Sequence, residues 1–325
     1  MKDRFFAWAE DYLYHPTLLH RIISTLLLPL SALYCAITKS KRNSAKPVDY
    51  GIKIISIGNL IAGGSGKTPL TIALAKDRKN CAIILRGYGR KTEGLFIVSH
   101  QGNVKIDVNA SGDEAMLLAK SLPQATIIVS EDRVEAIKKA KSMGAKIIFM
   151  DDGFSKVNIK KIDILIEPQN KPATNLCLPS GGYREPIEHY KFADLIIKEN
   201  IDFSRNIDFF FISHKYKDGK EAIDKSALED IDKDEVLIVT AISKPKRLFE
   251  YLPKNYPIIS FGDHSYFDID LITKKLQKQN AKYILTTSKD LVKLPISHFH
   301  EFKIILMDLN IILNDEKRLK IEKMI

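Results

Sequence analysis

The chain predicts an α/β fold: a doubly wound, mostly parallel sheet, followed by a second, smaller α/β lobe and preceded by an N-terminal membrane-associated helix. Three observations carry this. Short β-branched runs alternate with helix-like stretches from Gly51 onward, a glycine-rich turn joins the first strand to the first helix, and a later apolar strand ends in two adjacent carboxylates. The 325 residues exceed the usual size of one core, so two lobes are expected. The expected division is residues 1–45 for the N-terminal segment, 46–205 for the first lobe and 206–325 for the second. Hydrophobic residues make up 45% and charged residues 28%, a balance that suits a folded chain and excludes a disordered one.

The first element is an apolar stretch over 22–37, interrupted by Ser24, Thr25, Pro29 and Ser31 and followed by Lys39, Lys41 and Arg42. A bilayer span wants about 20 apolar residues, so the stretch is marginal. A secretory signal carries its positive charges first, whereas the clearest basic cluster here follows. Interfacial helix, single span and buried core helix are all open. The interfacial helix ranks first, because Trp8, Tyr12, Tyr14 and the flanking cations suit a headgroup boundary.

Strands are expected over 52–57, 82–85, 127–129, 146–150 and 162–166, with helices over 113–121 and 133–143 between them. A second set covers 209–213, 235–241, 257–260, 283–286 and 304–307, and the polar stretch 200–208 marks the boundary. Cys35, Cys81 and Cys177 are widely spaced and show no Cys-x-x-Cys, which points to free thiols in a reducing compartment. The net charge of +10 favours polyanionic partners. No run of Arg and Lys interleaves with aromatics, so nucleic acid is not expected.

Chemistry concentrates after the first strand, in Gly58-Asn59-Leu60-Ile61-Ala62-Gly63-Gly64-Ser65-Gly66-Lys67-Thr68. Gly63, Gly64, Ser65 and Gly66 let the backbone curl so that its N–H groups face phosphate oxygens at a helix N-terminus. Lys67 would neutralise β- and γ-phosphates, Thr68 would ligate Mg²⁺, and Pro69 fits the first helical turn. Ile61 stands where the strict Walker A pattern has glycine. The remainder matches the variant loop of partitioning ATPases, with Ala62 in place of their signature lysine. Further along, Ile147-Ile148-Phe149-Met150 runs into Asp151-Asp152-Gly153, an acidic strand end of the kind that holds Mg²⁺ beside a phosphate loop.

A kinase also needs a carboxylate or histidine to orient and deprotonate its acceptor. Asp113, in Gly112-Asp113-Glu114, opens a helix, and from local sequence its reading as a cap comes ahead of a catalytic one. His264, after Asp263, is the histidine best placed for chemistry. Arg86-Gly87-Tyr88-Gly89-Arg90 suits phosphate or headgroup contact, and Pro179-Ser180-Gly181-Gly182-Tyr183-Arg184-Glu185-Pro186 presents an Arg–Glu pair.

Taken in order, these stretches resemble the tetraacyldisaccharide 4′-kinase family, along with Glu131-Asp132-Arg133, Phe154 and Thr286-Thr287-Ser288-Lys289-Asp290. The resemblance implies a two-lobed P-loop kinase at the cytoplasmic face of a Gram-negative inner membrane. It would use ATP and Mg²⁺ to phosphorylate a lipid-linked glucosamine disaccharide. It also implies Asp113 as base with His264 as its partner, reversing the local preference for a cap. Thr68 with Asp151 or Asp152 would handle Mg²⁺, and Arg184, Glu185 and Arg133 would lie near the transferring phosphate, Glu185 beside the metal. The chain departs from the family at Ala115 (usually Pro), Ser155 (usually Gln) and Ser265 (often a second His). The main rival is a membrane-associated nucleotide switch of the partitioning type, against which Ala62 argues. A GTPase is weaker, because Ser288-Lys289-Asp290 lacks the spacer of the guanine-reading motif. A scaffold without catalysis is disfavoured by the intact loop lysine, threonine and strand-end acids.

Overall fold

The computed structural model describes residues 2–213, 219–242, 245–262 and 265–325, with side chains from residue 8 onward. The chain opens with three helices: α1 (Lys2–Tyr14), α2 (Leu18–Leu26) and α3 (Leu28–Asn43). Pro29 has no N–H to offer the preceding turn, so the helix stops and restarts, and α2 and α3 meet at a bend of 57°. No single described helix is long and apolar enough to cross a membrane; this bent pair meets the requirement only jointly. Leu18, Leu26 and Leu33 are 77%, 74% and 60% exposed, which removes the buried-core reading of this stretch.

The first sheet follows: β1 (Lys53–Gly58), α4 (Lys67–Ala75), β2 (Cys81–Leu85), β3 (Phe96–His100), β4 (Asn103–Val104), α5 (Val108–Ser111), α6 (Asp113–Ser121), β5 (Thr126–Val129), α7 (Arg133–Ser142), β6 (Ile147–Asp151), β7 (Ile162–Glu167) and β8 (Leu195–Lys198). Its order is β4-β3-β5-β2-β6-β1-β7-β8, parallel except at β3 and β4. Strands β1, β2, β5 and β6 are almost entirely buried, as near-continuous Ile and Val runs covered on both faces must be.

The second sheet comprises β9 (Phe203–Ile212), β10 (Lys220–Ile223), β11 (Val236–Thr240), β12 (Ile258–Ser260), β13 (Tyr283–Thr287) and β14 (Lys303–Leu313), in the order β10-β9-β14-β13-β11-β12. Between these strands lie α8 (Lys225–Glu229), α9 (Ile269–Lys278) and α10 (Ser288–Leu291), and α11 (Asp315–Met324) ends the chain. The polar stretch 200–208, read as a loose boundary, is largely strand. β9 pairs antiparallel with β14 from Ile212↔Ile304 to Phe203↔Leu313. One end of this ribbon packs in the first core through Phe203 and Ile311, the other in the second through Phe209 and Met307. All three cysteines are free thiols.

Candidate active site

Parallel pairing brings the phosphate loop and the acidic strand end together. β6 lies directly beside β1 with Ile57 opposite Asp151, and the Asp152 N–H donates to Ile57 O at 2.9 Å. The loop after β1 curls to Gly66, whose φ of +88° is left-handed and so favours glycine, and α4 starts at Lys67. Thr68 Oγ1 donates to Asp151 Oδ2 at 3.0 Å, and Lys67 Nζ stands 3.8 Å from Asp152 Oδ1.

Arg184 arrives by a contact the sequence did not show. Residues 60–62 pair with 182–184 as a short antiparallel bridge: Arg184 N–H donates to Leu60 O at 2.7 Å and Ala62 N–H to Gly182 O at 2.8 Å. The Arg184 guanidinium is thereby aimed at Asp152, to which it donates two parallel bonds of 2.8 Å each, and it also reaches Asn59 Oδ1. Burial tends to raise the Asp152 carboxyl, but Lys67 and the Arg184 fork outweigh it and hold Asp152 well below the usual carboxylate range. Burial pushes Asp151 the other way, to about 7, with Glu114 and Asp152 adding to the rise and Lys67 and Thr68 opposing it. Glu114, in the first turn of α6, thus lies within electrostatic range of Asp151.

Several buried polar atoms here have no protein partner: Ser65 Oγ, Asn59 Nδ2, Asp151 Oδ1 and Arg184 Nε. Buried polar groups are ordinarily bonded, so this cluster has the character of a site waiting for oxygens and a cation. Arg133 adds charge from the first turn of α7: burial lowers its pKa while Asp151 and Asp152 oppose the drop.

Asp113 is the first residue of α6, after Gly112, whose φ is +85° and whose missing Cβ would come within 3.0 Å of Tyr88 O. Its Oδ1 accepts the Glu114 N–H at 2.9 Å, so it does serve the helix start. Its Oδ2 faces the second sheet, with Lys293 Nζ at 3.2 Å and Lys289 Nζ at 3.8 Å. His264 lies outside the described residues. Asp290 braces β11 and β13, accepting from Thr240 Oγ1 at 2.6 Å and Thr287 Oγ1 at 2.8 Å.

Glu185 has other partners than those expected beside a metal. Its Oε2 takes Arg42 Nη2 of α3 at 2.6 Å and His189 Nδ1 at 2.9 Å. Arg90 is likewise occupied, paired with Glu131 at 2.5 Å and bonded to Gly94 O. Sequence reasoning passed over Lys293 and Arg205 and read Arg42 only as one of the cations after the apolar stretch; Arg205 comes from β9, pairs with Glu199 and packs against Gly66. No local pattern marks them, since each reaches the site from a distant element.

A tetraacyldisaccharide-1-P 4′-kinase family model matches residues 23–325. A tetraacyldisaccharide 4′-kinase of Aliarcobacter butzleri is 52% identical over 311 residues, which is 96% of this chain and 94% of that protein. One from Helicobacter pylori strain HPAG1 is 43% identical, covering 88% of this chain and 86% of its own. Among solved structures, LpxK from Aquifex aeolicus in complex with ATP superposes with a TM-score of 0.71 at 25% identity. That match covers 92% of this chain and 97% of the other.

Proposed function

The chain belongs to the tetraacyldisaccharide 4′-kinase family, a group of lipid A biosynthesis enzymes, and we propose that the cluster around Lys67, Asp151, Asp152 and Arg184 is where it transfers the γ-phosphoryl group of ATP. The observation that carries the assignment is the convergence of loop lysine, strand-end acids and arginine fork on one set of unpartnered buried atoms. Lys67 and Arg184 both rest on Asp152. A triphosphate would draw these two cations onto its own oxygens.

The acceptor's 4′-hydroxyl oxygen attacks the γ-phosphorus, the bond from that phosphorus to the β,γ-bridging oxygen breaks, and ADP leaves. Asp113 takes the hydroxyl proton, with Lys293 and Lys289 fixing its carboxylate. Among the described residues no three His, Cys, Asp or Glu side chains gather, as expected where Mg²⁺ takes most of its oxygens from phosphates and water. The free Asp151 Oδ1 and the Thr68 hydroxyl fit such an ion, and they are the residues that would hold it. It would supply charge neutralisation on the β- and γ-phosphate oxygens.

The exposed apolar row of α2 and α3, ending in Lys39 and Lys41, is the surface we assign to the cytoplasmic leaflet of the inner membrane. The test is incubation with ATP, Mg²⁺ and detergent-dispersed tetraacyl disaccharide 1-phosphate. The expected product carries one added phosphate at the 4′ position, formation stops with EDTA, and excess Mg²⁺ restores it. Phosphate added elsewhere, or transfer indifferent to EDTA, would overturn the assignment.

A further inference from the structure

We propose that Arg42 is a positioning residue for phosphoryl transfer, which makes the N-terminal helix pair a working part of the phosphate site as well as its attachment to a lipid surface. The inference rests on the kinase reading above. Arg42 lies in the last turn of α3 and touches both chain segments that build the Arg184–Asp152 fork. On one side its Nη2 donates to Glu185 Oε2 at 2.6 Å, one residue beyond Arg184. On the other it donates to Phe154 O at 3.3 Å, two residues beyond Asp152, and its guanidinium sits 4.0 Å over the Phe154 ring. A single planar cation therefore links the two chain segments that carry the fork, one through a side-chain carboxylate and the other through a backbone carbonyl.

The clamp is enclosed and fixed. The Arg42 and Glu185 side chains are only 10% and 11% exposed, and His189 holds the same carboxylate oxygen at 2.9 Å. Buried ion pairs are a poor way to gain stability; a hypothesis better suited to this one is that it fixes geometry. Other polar groups of the N-terminal helices bond the same region. Tyr34 Oη donates to Arg184 O and Tyr14 Oη to Ala62 O, each at 2.7 Å. Ser31 accepts from Ser180 N–H at 2.8 Å while donating to Cys177 O at 2.9 Å. The helix pair thus turns apolar side chains outward and hydrogen-bonding groups toward the 177–185 stretch that carries Arg184. Small displacements of reacting groups are costly in rate, about 100-fold for 1 Å in unfavourable cases, so loosening this clamp should register in turnover.

The experiment uses the full chain with detergent-dispersed acceptor, measuring kcat and acceptor KM for wild type, Arg42→Met, Glu185→Gln, the double variant and Tyr34→Phe. Co-sedimentation with phosphatidylethanolamine–phosphatidylglycerol vesicles is measured in parallel. Arg42→Met should lower kcat about tenfold or more, leave acceptor KM within about twofold, and co-sediment as wild type does. The double variant should be no slower than Arg42→Met, since both changes break one clamp. Unchanged kcat, or a raised KM with lost sedimentation, would reduce Arg42 to an anchor and overturn the inference. If Arg42→Met does not fold, Tyr34→Phe, which loses one hydroxyl, carries the test: kcat should fall about threefold, and wild-type turnover would refute the coupling. A wild type that hydrolyses ATP without phosphorylating the lipid would instead remove the kinase reading beneath it.

Discussion

Lys67 and Thr68 occupy the first turn of α4 because the left-handed Gly66 ends the loop there, and each already has an acidic neighbour across the β1–β6 pair. Replacing Lys67 by alanine removes a cation aimed at developing negative charge, and Thr68→Ala removes a hydroxyl that would face the metal. Either should cut the initial rate of transfer by about 10²–10³-fold at saturating ATP. A rate within a few-fold of wild type for either variant would contradict the phosphate-loop assignment. These residues were legible because covalent spacing alone fixes them: the six residues 63–68 carry the glycines, lysine and threonine in one run. Arg184 was recognisable as a residue but not in its contact, since its aim depends on an antiparallel bridge to a segment more than a hundred positions earlier. The ion pair of Glu185 with Arg42 was hidden for the same reason, because Arg42 lies on α3, whose packing no local pattern encodes.

Among elements, the junction of β1 with the strand-end acids is closely packed at Gly58. A Cβ there would stand 2.9 Å from Phe154 Cβ and 3.2 Å from Leu165 Cδ2, with backbone behind. Gly58→Ala should therefore destabilise by about 1–3 kcal/mol through overpacking, read as a lower denaturant midpoint at unchanged slope. An unchanged midpoint would show that β1 and β7 can separate without cost. The buried strands were legible because they are near-continuous Ile and Val runs that only a two-sided core accommodates. Of the β9–β14 ribbon only the parts at 209–213 and 304–307 were legible; around Asn206, Asp208 and Asn310 its residues are polar, a composition that reads as linker. There cross-strand pairing overrides composition.

For the whole molecule, the N-terminal segment is both apolar outside and bonded inside. Tyr12, Tyr14, Ser24, Ser31, Tyr34 and Arg42 all reach residues of the phosphate loop or of the 172–185 stretch or its neighbours. Deleting residues 1–45 should therefore release the protein from phospholipid vesicles and also lower its thermal midpoint. A deletion variant that melts as wild type does would contradict the inward bonding, and one that still sediments would contradict the lipid contact. The apolar character and trailing cations of this segment were visible in the sequence. Its bend at Pro29 was predictable in kind but not in angle, and its polar inner face was hidden, because serines and tyrosines in an apolar run give no hint of which carbonyls they meet.

The central claim is that one site, with Asp113 as base, moves phosphate from ATP onto the lipid disaccharide. The most direct measurement is transfer of radiolabelled γ-phosphate from ATP to purified tetraacyl disaccharide 1-phosphate, with Asp113→Ala in parallel and nucleotide affinity and melting temperature recorded for both. Labelled lipid should form with the wild type and fall by about 10²–10⁴-fold in the variant, while ATP affinity stays near wild type. Hydrolysis of ATP with no label on the lipid, or a variant that labels normally and merely melts earlier, would contradict it and leave Asp113 as the start of a helix.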